Sequence, residues 1–246
     1  MHLLCTDYRC CFLSKIVLFD LDGTLYDYDT AQRRGLTQAH KSWNEQGANM
    51  EFADFSKLYS DSRSWIKRFL ADSAASHSRA LYFQKFVEIA TGIPNTDLIS
   101  ALLDGYYAGF YEKMTPYPGL KDALDSLKRK NYRLGIITNM QANIQYRKIS
   151  LLGLGDMFEE IVTSEAVGHE KPHPLIFYHT LSLMRGIPEN TFMVGDSLKH
   201  DINPAAFIGI TPIWFNPNEE QEAKVITPSF RTIQNYSQLV DLIEST

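Results

Sequence analysis

Ile16-Val17-Leu18-Phe19-Asp20-Leu21-Asp22-Gly23-Thr24-Leu25-Tyr26-Asp27 is the stretch on which the reading of this chain turns. Its four leading apolar residues show no polar alternation and predict a strand buried on both faces, the habit of a parallel sheet. The run ends in Asp20 and Asp22, and Gly23 lets the chain turn away. In a parallel α/β sheet, ligands bind in the crevice at the carboxyl ends of the strands, which is where these acids fall. Carboxylates one residue apart repel each other, so a cation or a shared proton is expected to hold them. The plain alternative is an Asp-Gly turn with no chemistry attached.

The chain has 246 residues, 44% hydrophobic and 22% charged, which fits a globular protein with one large domain or a core plus an insert. A net charge of −5 gives no general attraction to a nucleic-acid polymer or an acidic membrane surface. No apolar run approaches the roughly 18 residues of a membrane span. Cys5, Cys10 and Cys11 all fall near the start rather than through the chain, which argues against a disulfide framework and for a reducing, cytoplasmic setting. Residues 1–14 read as an N-terminal extension, with Asp7 and Arg9 interrupting any signal-peptide apolar region.

From about Thr30 to Lys113 no buried strand is predicted. Ala80–Ala90 and Leu98–Tyr111 carry helical spacing, with a turn at Gly92-Ile93-Pro94, and Trp43, Trp65, Tyr82, Phe83 and Phe86 are expected to make a local core. A helical unit of residues 30–113, inserted after the first strand, would stand over the strand tips as a lid. Thr115-Pro116-Tyr117-Pro118-Gly119 closes it, because two prolines and a glycine cannot continue a helix. A βα rhythm follows. Strands are predicted at Leu134–Ile137, Glu160–Thr163, Thr191–Val194 and Thr211–Phe215. Helices are predicted from Leu120 to near Asn131 and at Gln141–Leu152, Leu175–Met184 and Tyr236–Ile243, with a polar loop at Pro217–Lys224. The fold class is therefore α/β: a Rossmann-like parallel sheet core, residues 15–29 and 114–246, with an inserted helical cap.

Polar groups close several of these strands or follow them: Asp20/Asp22, Thr138/Asn139, Lys171, and Asp196 with Asp201. Singly each has a dull explanation: a helix cap for Thr138, a solvated lysine, a turn aspartate, a helix-face charge. Together they make a phosphoryl-transfer site, with Asp20 as carboxylate nucleophile, Thr138 as hydroxyl donor, Lys171 as counter-charge and Asp196 as a hard oxygen ligand for Mg²⁺.

Asp20-Leu21-Asp22-Gly23-Thr24, Thr138-Asn139, Lys171-Pro172 and Gly195-Asp196-Ser197-Leu198-Lys199-His200-Asp201 resemble, in order, the four motifs of the haloacid dehalogenase-like hydrolase superfamily. The resemblance runs from about Lys15 to the end and implies a mobile helical cap over the core. It implies that Asp20 attacks phosphorus and becomes an aspartyl-phosphate, while Asp22 protonates the leaving oxygen and then deprotonates the hydrolytic water. It also implies Mg²⁺ on Asp20, the Asp22 carbonyl and Asp196, with Asp201 in support, and phosphoryl oxygens held by Thr138 and the amides of Leu21, Asp22 and Asn139. Dehalogenases lack an acid at the place of Asp22, so its presence favours an oxygen leaving group. Ile202-Asn203-Pro204 departs from the small residues common after the last motif acid and is expected to alter the start of the next helix.

Within the family, Pro116–Gly119, Leu134–Asn139, Ser164–Gly168 and Val194–Asp201 resemble bacterial pyrimidine 5′-nucleotidases. The same branch holds sugar-phosphate phosphatases of the sialic acid 9-phosphate type. The partner is thus a small phosphorylated metabolite. In the cap, Trp65 stands beside Arg63, Lys67 and Arg68, with His77 and Arg79 nearby. An aromatic ring there would stack on a base, which favours a nucleoside 5′-monophosphate over a sugar phosphate. A non-catalytic phosphate-responsive switch is the reading of a different class, and a large lid argues against it.

Overall fold

The computed structural model describes residues 15–71, 73–219 and 230–246. The expected extension of residues 1–14 with its cysteines, and the expected polar loop beyond residue 219, lie outside the described residues. Strand β1 (Ile16–Phe19) is buried throughout, as predicted. Its alternation divides the core in two: Val17 and Phe19 join one apolar cluster, Ile16 and Leu18 another. An apolar side chain on both faces is what a sheet covered on both sides requires.

Five further strands complete the sheet: β2 (Arg133–Thr138), β3 (Glu160–Thr163), β4 (Thr191–Gly195), β5 (Thr211–Phe215) and β6 (Arg231–Ile233). The order is β3-β2-β1-β4-β5-β6, and every pair is parallel. The chain reverses its winding direction at β1, so the crevice opens beyond the ends of β1, β2 and β4. Phe19 pairs with Ile136 on one side and Val194 on the other, which brings the residues just beyond the three strands to one level. Strand β6 was not predicted, since only Ile233 of its three residues is buried.

Helices α1 (Tyr28–Glu45), α2 (Phe52–Phe69), α3 (Arg79–Thr91) and α4 (Thr96–Tyr111) form the insert. The last two fit the predicted spans within a residue or two. The first two carry so many polar residues that periodicity did not reveal their limits. Helix α1 buries Ala31, Gly35, Ala39 and Trp43, one residue per turn, and lies close against α4. A Cβ on Gly109 would stand 2.5 Å from the Arg34 carbonyl oxygen, so that glycine sets the closeness of the two helices. Trp43, Tyr82, Phe83 and Phe86 are buried in the insert core as expected, whereas Trp65 is 41% exposed.

After β2 begins the predicted βα alternation, with α5 (Leu120–Arg129) ahead of it and α6 (Ala142–Leu151), α7 (Ser164–Val167), α8 (Pro174–Leu183), α9 (Asn203–Phe207) and α10 (Leu239–Glu244) following. The Ile202-Asn203-Pro204 departure has a visible effect. Leu198–Ile202 forms one wide π-type turn, and α9 starts only at Asn203 with Pro204 in its first turn. Among the described residues no helix is long and apolar enough to cross a membrane.

Candidate active site

Asp20 follows β1 directly, and its amide donates to the Val194 carbonyl at 2.9 Å, extending the ladder by one residue and fixing where the carboxylate points. Gly23 then turns the chain with φ +89°, a conformation that side-chain-bearing residues avoid. A Cβ at that position would lie 2.5 Å from Asp196 Oδ2, so the glycine leaves room for the acid at the end of β4. Thr24 ties the two strand ends together. Its hydroxyl lies 3.0 Å from Asp196 Oδ1 and 3.3 Å from Asp20 Oδ2, and it accepts the Asp196 amide at 3.0 Å.

Lys171 is buried with its ammonium group 2.5 Å from Asp20 Oδ1, 2.7 Å from Asp201 Oδ1 and 2.9 Å from the Ile137 carbonyl oxygen. All three ammonium protons are therefore used. The Asn139 side chain clamps the lysine backbone from both sides, accepting its amide at 2.8 Å and donating to its carbonyl at 2.9 Å. Burial alone would lower Lys171, but the Asp20 and Asp201 carboxylates outweigh it and raise the lysine, which stays charged. Burial pushes Asp20 up to about 7, opposed by Lys171 and aided by Asp201 and Asp22.

Asp22 has its own enclosure, which sequence reasoning missed. The Lys148 ammonium donates to both of its oxygens at 2.7 and 2.8 Å, the Tyr26 hydroxyl donates to Oδ1, and Gln145 donates to Oδ2 at 3.2 Å. Burial raises the Asp22 carboxyl, but Lys148 and these hydrogen bonds outweigh it and hold it below the usual carboxylate range. The Gln145 amide also donates to Thr138 Oγ1 at 2.6 Å, which leaves the threonine proton free to donate to a ligand. Gln145 and Lys148 stand three apart on α6, one turn of one face. The signal was this spacing directly after Thr138-Asn139, although by residue type both read as a solvated face.

The site fits a hard divalent cation. Carboxylate oxygens of Asp20, Asp196 and Asp201 lie within 4.8 Å of one another with no sulfur or nitrogen among them. The oxygens of Asp201 are engaged by Lys171 and by the Ser197 amide at 3.0 Å, whereas among the described residues Asp20 Oδ2 and the Asp196 carboxylate share only the Thr24 hydroxyl. Burial and the neighbouring acids Asp20 and Asp201 drive Asp196 well up in the absence of such a charge.

A cavity of about 320 Å³ opens from these acids toward the insert, which lines it with Tyr28, Arg63, Lys67, His77 and Arg79. That volume is at the small end of the range for ligand pockets. Asp20, Asp22, Thr138, Asn139, Lys171, Asp196 and Asp201 all line it too. Leu21 points its side chain into the core and is fully buried. Trp65, expected to stack on a substrate, does not line the cavity. On α2, Arg63 and Lys67 share the inner face, while Trp65 stacks outside on Phe69 at 5.2 Å with the Lys85 ammonium 4.5 Å from its ring. Residues two apart on a helix face different ways, so Trp65 could not accompany Arg63 and Lys67 inward. Arg68 is likewise outside. His77 joins the insert to the core through Glu170 Oε2 at 2.8 Å, and Gln141 donates to the Ala74 carbonyl at 3.1 Å.

The model of the family described as haloacid dehalogenase-like hydrolase matches residues 17–215. The ribulose-1,5-bisphosphate 5-phosphatase of Halopiger xanaduensis is 35% identical over 211 residues, spanning 86% of this chain and 88% of its own. The pyrimidine 5′-nucleotidase PynA of Streptococcus pneumoniae is 29% identical over 238 residues, spanning 94% and 95%. The HAD-hydrolase YfnB of Bacillus subtilis, solved bound to magnesium, shares the fold with a TM-score of 0.72 at 22% identity over 94% of this chain and 99% of its own.

Proposed function

We infer the function of this chain, which belongs to the haloacid dehalogenase-like hydrolase family, from what its sheet-end acids are free to do. It is a hydrolase of phosphoric monoesters. The finer reading is a Mg²⁺-dependent phosphomonoesterase that works through Asp20. The observation that carries it is the asymmetry of the Asp20 carboxylate: Lys171 fixes Oδ1 at 2.5 Å, while Oδ2 faces Asp196 across the Thr24 hydroxyl. One oxygen is held by a permanent cation, and the other faces the place where a second cation and a phosphoryl group fit.

Asp20 and Asp196 would hold the metal, with the Asp22 backbone carbonyl as a further donor. Bound there, Mg²⁺ would offset the charge of the phosphoryl oxygens and of Asp20. Asp20 attacks phosphorus, a carboxylate O–P bond forms and the ester P–O bond breaks. The departing oxygen takes a proton from Asp22, which has first to bind one delivered by solvent or substrate, because Lys148 and Tyr26 favour its carboxylate form. The Asp22 carboxylate then accepts a proton from water. The resulting hydroxide attacks phosphorus, the Asp20 O–P bond breaks, and phosphate leaves. Thr138 and the amides of Leu21, Asp22 and Asn139 stabilise the phosphoryl oxygens through donors that need no reorganisation, and Lys171, whose three protons are already engaged, offsets their charge.

For the substrate, the structure supports a sugar phosphate ahead of a nucleoside 5′-monophosphate, the reverse of the order expected from Trp65. With Trp65 outside, the rings that the insert places at the cavity, among the described residues, are Tyr28 and the His77 imidazole, the first engaged by Arg79 at 2.6 Å and the second by Glu170 at 2.8 Å. The nucleotide reading keeps one argument, the 29% identity to a pyrimidine 5′-nucleotidase. The experiment is phosphate release from p-nitrophenyl phosphate, sugar phosphates and nucleoside 5′-monophosphates, with Mg²⁺ and with excess chelator. The expected result is Mg²⁺-dependent release with sugar phosphates highest in kcat/KM. Undiminished release in chelator would contradict the metal, and pyrimidine nucleotides in the lead would establish the second reading.

A further inference from the structure

The insert end of the cavity holds positive charge that the protein itself does not neutralise. Arg79 is 5% exposed, yet its partners are all uncharged: the Tyr28 hydroxyl at 2.6 Å, the His77 carbonyl oxygen at 2.8 Å and the Met140 sulfur at 3.9 Å. Tyr82 and Tyr106 flank it, with ring centroids 5.6 and 5.9 Å from the guanidinium carbon. Its Nε is buried and has no hydrogen-bond partner among the described residues. A buried guanidinium without a carboxylate, carrying an orphaned donor, is costly to fold. Its position adds to the cost, because Arg79 is the first residue of α3 and puts a cation at the positive end of the helix dipole. Stability does not explain this arrangement. Arg63 and Lys67 reach the same cavity from α2, and among the described residues neither forms a salt bridge. Asp22 is engaged by Lys148 at 2.7 Å; Glu170 also lines the cavity and keeps its charge, since it accepts from a His77 that burial holds toward the neutral form, so one carboxylate faces three cations.

Resting on the phosphatase reading above, we propose that Arg63, Lys67 and Arg79 form a subsite for a second anionic group, so that the substrate is a doubly anionic metabolite. Its scissile phosphate lies against Asp20, and a second phosphate or a carboxylate meets the three cations. The cavity is then bipolar, one end completed by a metal ion and the other by the substrate. Arg79 and Arg63 have planar forks suited to an oxyanion, and Lys67 adds a point charge.

The test separates binding from turnover. In Asp20→Asn protein, which lacks the nucleophile, affinities are measured by calorimetry in Mg²⁺ for fructose 6-phosphate and fructose 1,6-bisphosphate. A second pair, glycerol 3-phosphate and 3-phosphoglycerate, asks whether a carboxylate serves as well as a phosphate. The doubly charged member of at least one pair is expected to bind about tenfold tighter or better, the scale of one charge-assisted hydrogen bond. Adding Arg79→Gln or Lys67→Gln is expected to bring that ratio to within about twofold. Should Arg79→Gln not fold, Lys67→Gln carries the test, because the Lys67 side chain is only half-buried. Ratios near one in both pairs, or a ratio that both substitutions leave intact, would overturn the proposal. Failure of the phosphatase reading shows separately, as absence of phosphate release by the unmodified enzyme whatever the binding ratios are.

Discussion

At the sheet end of the cavity Lys171 meets two carboxylates, Lys148 a third, and the Thr24 hydroxyl lies beside a fourth; at the insert end, among the described residues, Arg63, Lys67 and Arg79 form no ion pair, and Glu170 is the one further acid in the lining. The first set is fixed from several directions, with Asp20 on the ladder of β1 and Lys171 clamped by Asn139. In the second, Arg79 is held by a hydroxyl, a carbonyl and ring faces. The difference teaches a division of labour. A group that must be oriented before the substrate arrives is saturated with protein partners, whereas a group that recognises a variable part of the substrate is left unsaturated.

The sharpest way to break this comparison is at the saturated end. Asp20→Asn should lower turnover by several orders of magnitude while the fold persists, since an amide cannot form the acyl-phosphate. Near-normal rates would place the nucleophile elsewhere. Lys148→Met should have the next largest effect, lowering kcat roughly tenfold to a hundredfold by releasing Asp22, with Lys148→Arg recovering part of the loss. If Lys148 only supports packing, methionine would match arginine, and kcat would not separate them.

At the unsaturated end the expected effects are smaller. Burial and the Arg63 and Arg79 cations push Lys67 down to about 8, against the pull of Glu170; Lys199 lowers it further, and His77 also faces the cavity. Lys67 is charged below that pH and neutral above it. The advantage of a doubly anionic substrate in kcat/KM, which reports the free enzyme, should therefore fall a few-fold as pH rises through about 8. A pH-independent advantage would exclude Lys67 from the subsite. Trp65→Ala should do least, leaving the ratio of nucleotide to sugar-phosphate kcat/KM unchanged; a selective loss for nucleotides would return Trp65 to the site.

The same two ends differ in how far the sequence alone revealed them. Asp20, Thr138, Lys171 and Asp196 were legible because strand ends and their loops are local features, and parallel pairing puts them at one level. Lys148 and Gln145 were not, because a polar residue on a helix reads as solvated unless the neighbouring turn is known to press against it. Trp65 misled for the converse reason: an aromatic ring among cations suggests stacking, but helical phase turned it outward. Helix α1 escaped because small residues, Ala31, Gly35 and Ala39, make its buried face. Arg79 stood out as a charge in the sequence, yet only three dimensions reveal that it is buried and lacks an anion.

Acid quench of the enzyme during turnover, followed by peptide mass spectrometry, tests the central claim most directly. Phosphate should be found covalently on the peptide carrying Asp20, and should be absent in Asp20→Asn. Rapid turnover with no adduct on that peptide at any quench time, or an adduct on another residue, would contradict the account.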